Sequence, residues 1–211
     1  MNQTRLILVE GLPGTGKTTI SGWIYRRLKR KGVPAEVLLE DDAGMPGDWD
    51  IGDTGRRLPA QDYARRMLEL WGRWAETNAG EGVLILDCAF MQNPLNEMIF
   101  RGASDAQAEA YIRSIAAILG PLHPVCVYLR RGSAEVSIAF AKAAKGAGWA
   151  NRVDNALAEL GCPDLFERRY RLEFALLSSV DHVLCEVSGR DWSSAKKRIR
   201  RVLCPSYRPQ T

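Results

Sequence analysis

Eight residues, Gly11 to Thr18 (GLPGTGKT), constrain the fold of this chain more than any other stretch. They begin where the apolar run Leu6-Ile7-Leu8-Val9 gives way, and an amphipathic segment follows at once. The spacing G-x-x-x-x-G-K-[ST] is that of a phosphate-binding P-loop. Gly11, Gly14 and Gly16 allow backbone angles that side chains forbid, so main-chain N–H groups can turn inward on an anion. Lys17 adds a point charge for the outer phosphates, and the Thr18 hydroxyl suits a Mg²⁺ ligand. The following helix presents its positive dipole end to the same anion. A buried strand before the loop and a helix after it are therefore required. Gly11, Pro13, Gly14, Thr15, Gly16, Lys17, Thr18 and Thr19 are the expected triphosphate contacts.

The rest of the chain repeats that alternation. Leu6–Val9 is apolar throughout, as a strand buried on both faces should be. Ile20, Trp23, Ile24 and Leu28 recur at helical spacing, and Gly32 stops the helix. Val33–Leu39 reads as a second strand, ending in Glu40, Asp41 and Asp42, and a glycine-rich loop follows. Tyr63, Met67, Leu70, Trp71 and Trp74 mark a long helix, and residues 82–87 a third strand ending in Asp87. A polar loop over 88–94 precedes a short helix opened by Pro94, and Asp105 caps the next helix. Val125–Leu129 forms a fourth strand, followed by Arg130 and Arg131. A helix begins at Pro163, His182–Val187 is a fifth strand, and Trp192–Leu203 is the last helix. Strand–helix alternation implies right-handed crossovers, hence an α/β fold: a three-layer α/β/α domain with a five-stranded parallel sheet. Residues 1–211 read as one domain, since no linker or repeat divides them.

Composition narrows the classes. With 46% hydrophobic and 26% charged residues, the chain can bury a full core. The net charge of +4 is read as solvated helix faces plus phosphate-binding arginines in preference to a nucleic-acid surface, so nucleic acid is not the expected partner. Five scattered cysteines and two histidines give neither a zinc spacing nor a disulfide framework. No apolar run approaches the roughly 18 residues of a membrane span. A cytoplasmic location is the expectation.

In open parallel sheets the ligand lies beyond the carboxyl ends of the strands. Strand one delivers the P-loop, and strand three delivers Asp87 after four apolar residues, as a Walker B carboxylate beside the metal held by Thr18. Strand two ends in acids and strand four in arginines. This assembly resembles the small P-loop kinases related to nucleoside monophosphate, shikimate and chloramphenicol kinases. The resemblance is carried by Gly11–Thr18, by Leu84–Asp87 and by the order of elements. It implies an acid after strand two that meets the acceptor hydroxyl, for which Asp42 is the choice. It also implies a cation-bearing lid, here residues 131–152, with Lys142, Lys145 and Arg152 inside it. Arg130 and Arg131, or Arg168–Arg171, could serve instead, and Arg130 is taken with Lys17 and Asp42 as catalytic. The acceptor-binding segment is 41–78, with Glu40, Asp42, Asp48, Arg57, Tyr63 and Gln92 as candidate contacts. The adenine would rest near Ser188–Trp192.

These expectations describe a kinase that uses ATP and Mg²⁺ and passes the γ-phosphoryl group to a hydroxyl or phosphate of a small-molecule acceptor. ATP is the default donor because no N-K-x-D guanine signature occurs. Two rivals remain: a nucleotide-driven ATPase or switch acting on a macromolecule, and a polynucleotide 5′-end kinase.

Overall fold

The computed structural model describes residues 4–40, 42, 44, 45 and 58–203. Five strands, β1 (Leu6–Glu10), β2 (Ala35–Leu38), β3 (Val83–Asp87), β4 (Pro124–Arg130) and β5 (Asp181–Glu186), form one sheet in the order β2-β3-β1-β4-β5. Every pairing is parallel, with Leu8 opposite Leu86 on one side and Cys126 on the other. The chain crosses over at β1, so the P-loop emerges at the centre of the sheet, between the ends of β3 and β4.

Side-chain alternation along the strands builds two cores. Ile7, Val9, Ile85, Val127 and Leu129 face one layer, made by α1 (Lys17–Arg30) and α8 (Ser193–Leu203). Leu6, Leu8, Leu86, Cys126 and Tyr128 face the other, with α2 (Ala60–Thr77), α3 (Gln92–Phe100), α4 (Asp105–Leu119) and α7 (Leu165–Leu176). Two further helices, α5 (Ala134–Lys145) and α6 (Ala147–Glu159), occupy the interval after β4. This is the three-layer α/β/α arrangement that the sequence implies. Among the described residues, no helix is long and apolar enough to cross a membrane.

The second strand is shorter than the apolar pattern suggests, since its residues are only partly buried at the sheet edge. Helix α3 starts at Gln92, two residues before Pro94, whose missing N–H is tolerated in a first helical turn. The start of α4 also differs from expectation. Ser104, not Asp105, is the N-cap: its hydroxyl accepts from the Gln107 N–H at 3.2 Å, and the Gln107 side chain accepts from the Ser104 N–H at 2.9 Å. This reciprocal box satisfies two donors that the helix cannot pair internally. Asp105 instead accepts from Arg168 at 2.7 Å and Arg171 at 2.8 Å, tying α7 to α4. Ser104→Ala is expected to cost about 1 kcal/mol of stability, read as a lower urea midpoint at unchanged slope, whereas Asp105→Ala should leave the cap intact.

Candidate active site

The loop between β1 and α1 is shaped by what presses on it. Gly11 has φ +133°, and a Cβ there would stand 2.2 Å from the Leu129 carbonyl oxygen. Gly16, at φ +91°, lies under the Trp192 indole, whose nitrogen would meet a Cβ at 2.3 Å. The same indole N–H donates to the Thr15 carbonyl at 3.0 Å. Neither position accepts a side chain without moving β4 or the segment after β5. Inside the curl, the Lys17 ammonium donates to the carbonyls of Gly11 at 2.8 Å and Leu12 at 3.2 Å. Thr15 closes the turn through Oγ1 to the Leu12 carbonyl at 2.9 Å. Pro13 accepts from the Ser137 hydroxyl at 2.8 Å, which fixes the start of α5 against the loop. Thr19 is exposed at the first turn of α1.

Thr18 and Asp87 come together as expected. The Thr18 hydroxyl donates to Asp87 Oδ2 at 2.7 Å, and Asp87 is 1% exposed at the end of β3. One hydroxyl and one carboxylate, both hard oxygen donors beside a phosphate cradle, suit Mg²⁺, which keeps most of its waters and takes few protein ligands. Among the described residues, no group of three or more His, Cys, Asp or Glu side chains could hold a metal by itself. The chain turns sharply after Asp87, because Cys88 takes φ +70°, a rare value for a residue with a side chain. The Cys88 thiol is buried and hydrogen-bonds to Asp87 Oδ1 at 3.3 Å; burial pushes its pKa up, so it stays a neutral thiol.

Behind the loop lies a network that sequence reading did not identify. Glu10, the last residue of β1, is fully buried and accepts from the N–H of Phe90 at 2.7 Å and of Gln92 at 3.3 Å. Burial, reinforced by the nearby Glu173 carboxylate, pushes the Glu10 pKa up to about 8. The Gln92 side chain donates to Glu40 at 2.9 Å and faces Arg169 at 3.5 Å. Arg169, 1% exposed, pairs with Glu173 at 2.9 Å and donates to Asn96 at 3.1 Å. Tyr128 completes the chain by donating to Glu173 at 2.8 Å. Thus Glu40 and Gln92 meet, and the loop after β3 is held from below by its backbone N–H groups donating to Glu10.

Other candidates fall elsewhere. Arg130 does not reach the phosphate loop: it pairs with Glu186 on β5 and lies 5.6 Å from the Phe174 ring. Adjacent strand residues point to opposite faces, so Arg131 is the arginine that turns to the loop. Its guanidinium donates to the carbonyls of Gly14 at 3.2 Å and Gly189 at 2.7 Å, and it stacks 3.8 Å from the Phe140 ring. Tyr63 is not at a pocket wall either. It is 1% exposed in the core, with Arg101 at 4.0 Å above its ring and Tyr111 at its edge. Asp42 is exposed, and its carboxylate accepts from the Leu39 N–H at 2.8 Å, closing the turn after β2. Asp48 and Arg57 lie outside the described residues. Within the expected lid, Lys142 pairs with Asp154 at 2.6 Å and Lys145 sits 4.8 Å from the Trp149 ring, so both brace the α5–α6 hairpin.

No family model matches the chain. A protein described as "Probable thymidylate kinase" from Archaeoglobus fulgidus is 38% identical to it over 79 residues. That match spans 37% of this chain and 38% of the relative, so the chain aligns with well under half of that protein's length.

The raised Glu10 pKa has a signed consequence. Between the ordinary value of 4.5 and about 8, the folded protein keeps a proton that the unfolded chain has lost. Stability should therefore fall as pH rises through that window and level off above it. In Glu10→Gln that decline should flatten, as read from urea midpoints at pH 5, 6.5 and 8. An unchanged pH slope would show that another group causes it.

Proposed function

We propose that this chain, a member of the P-loop nucleotide kinase superfamily by its fold and phosphate loop, transfers the γ-phosphoryl group of ATP to a small-molecule acceptor with the help of Mg²⁺. The observation that carries this reading is the contact of Thr18 with Asp87 beside the P-loop. Main-chain N–H groups of the loop and the start of α1 bind the triphosphate, and Lys17 leaves its loop carbonyls to bridge the outer phosphates. Thr18 and Asp87 would hold Mg²⁺, which would supply charge neutralisation at the transferred phosphoryl group. Arg131 fixes the outer side of the loop from just beyond β4, and Trp192 packs over it from the segment after β5. Phosphoryl transfer then requires positioning more than covalent chemistry. On the acceptor side Asp42 orients the attacking oxygen, and Glu40 with Gln92 binds a polar group.

A nucleoside monophosphate is the preferred acceptor class, because the matched stretch belongs to a relative described as a probable thymidylate kinase. The test is ADP release on a panel of nucleoside monophosphates, nucleosides and aminocyclitol or phenolic alcohols, each with and without acceptor. Turnover that needs one acceptor supports the proposal; equal ATP hydrolysis with and without every acceptor would contradict it. In that assay Lys17→Ala should lose roughly a hundredfold or more in kcat, the scale of removing one preorganised charge contact. For Asp87→Asn, the Mg²⁺ concentration giving half-maximal rate should rise by about tenfold or more, equivalent to at least one lost charge-assisted contact. An unchanged Mg²⁺ titration would remove Asp87 from the metal site.

A further inference from the structure

Charge is distributed very unevenly over this molecule. Residues 17–31 and 193–203 contain eleven Lys and Arg and no Asp or Glu, so the remainder of a chain of net charge +4 carries −7. Both segments build the same layer. Their apolar residues, Ile20, Ile24 and Leu28 from α1 and Ala195, Ile199 and Leu203 from α8, share one core. A small cleft lined by Trp23, Leu28 and Lys31 on one side and Ile199, Arg200 and Leu203 on the other places the two helices side by side. Arg200 lies 5.5 Å from the Trp23 ring across that seam. With the apolar stripes turned inward, Arg26, Lys29 and Arg30 of α1 and Lys197, Arg198 and Arg201 of α8 are exposed on one outer face. None of these six forms an ion pair with a described residue.

Helix stability does not account for this pattern. One or two cations in the last turn are enough to complement a helix dipole. Here like charges recur at i, i+4, as Arg26 with Arg30 and Lys197 with Arg201, a spacing that destabilises a helix. A polyanion lying across both helices would relieve that repulsion. We propose that the outer face of α1 and α8 binds the phosphate backbone of a nucleic acid, without base readout. Arginine predominates among the six, and its planar fork matches phosphate oxygens. An anionic membrane fits less well, because Ala195, Ile199 and Leu203 of α8 are buried in the core and Val202 alone of its apolar residues is left exposed to insert. The acids of residues 40–53 follow β2 in the sequence and belong to neither helix. The face is also separate from the phosphate loop: Arg30 is thirteen residues along α1 from Lys17, about 20 Å at the helical rise.

The experiment is fluorescence anisotropy of a labelled single-stranded 20-mer with the full chain, at several salt concentrations and with excess Mg–ATP to fill the P-loop. Binding should survive the nucleotide, and log K should fall with log salt at a slope of about −2 to −4, the signature of three to six neutralised phosphates on a single strand. Lys197→Gln/Arg198→Gln/Arg201→Gln should weaken binding by about tenfold or more and make the slope shallower by about 2. Arg65→Gln/Arg113→Gln, on α2 and α4 in the opposite layer, should bind like wild type. Circular dichroism melting checks that the triple variant is folded; if it is not, the α1 set Arg26→Gln/Lys29→Gln/Arg30→Gln is read instead. Wild-type affinity in a folded variant, loss of binding on adding Mg–ATP, or equal or tighter binding to phosphatidylserine vesicles would each overturn the proposal.

Discussion

The hydrogen bond from Thr18 to Asp87 joins the first turn of α1 to the end of β3, across 69 residues of chain. It can form only if β1 and β3 are neighbours in register, since the loop leaving β1 must arrive beside the last residue of β3. Parallel pairing of Val9 with Asp87 provides that. The crossover that places β1 in the middle of the sheet also brings Leu129 under Gly11, so the loop is gripped from both flanks. Glycine at that position is demanded by the strand next to it as much as by the anion it would cradle.

An anion site of this kind raises an electrostatic difficulty directly behind it. Glu10 is the residue before Gly11, and an ionised carboxylate there would oppose the phosphates that the loop attracts. Full burial and the Glu173 carboxylate resolve this by favouring the protonated form up to about pH 8. The cost is a buried polar cluster held by few partners: Glu10 takes backbone donors from the β3 loop, and Glu173 takes the Tyr128 hydroxyl and lies in an ion pair with Arg169. The same cluster ends at Gln92 and Glu40, where the proposed acceptor would sit. Donor and acceptor sides are therefore connected through one buried network rather than two independent pockets.

The fold was readable from the sequence because its signals are local: apolar runs, helical stripes and a loop whose spacing admits few conformations. Asp87 was readable for the same reason, as an acid that closes an apolar run. The failures are cases where neighbouring residues of similar chemistry diverge. Arg130 and Arg131 differ only in strand parity, and parity depends on where β4 ends. Tyr63 lies with Met67 and Trp71 on the buried stripe of α2, so the periodicity that identified the helix already argued against a surface role for its hydroxyl. Glu10 extends the apolar run of β1 by one buried position, a signal visible in hindsight as a charge without an interruption. Arg169 differs from its neighbours Arg168 and Arg171 by facing inward from α7, which helical spacing could have distinguished.

Two charge patterns thus divide the molecule, a small set of buried and paired groups under the P-loop and a basic layer on the outside of α1 and α8. The first serves the proposed transfer; the second has no part in it. What unites the account is the claim that main-chain amides between β1 and α1 grip a phosphate. Backbone amide NMR of the full chain titrated with Mg–ADP measures this directly. The amide protons of Gly14, Gly16, Lys17 and Thr18 should move together to lower field and saturate at one dissociation constant. Saturating Mg–ADP that leaves those four resonances in place would contradict the account.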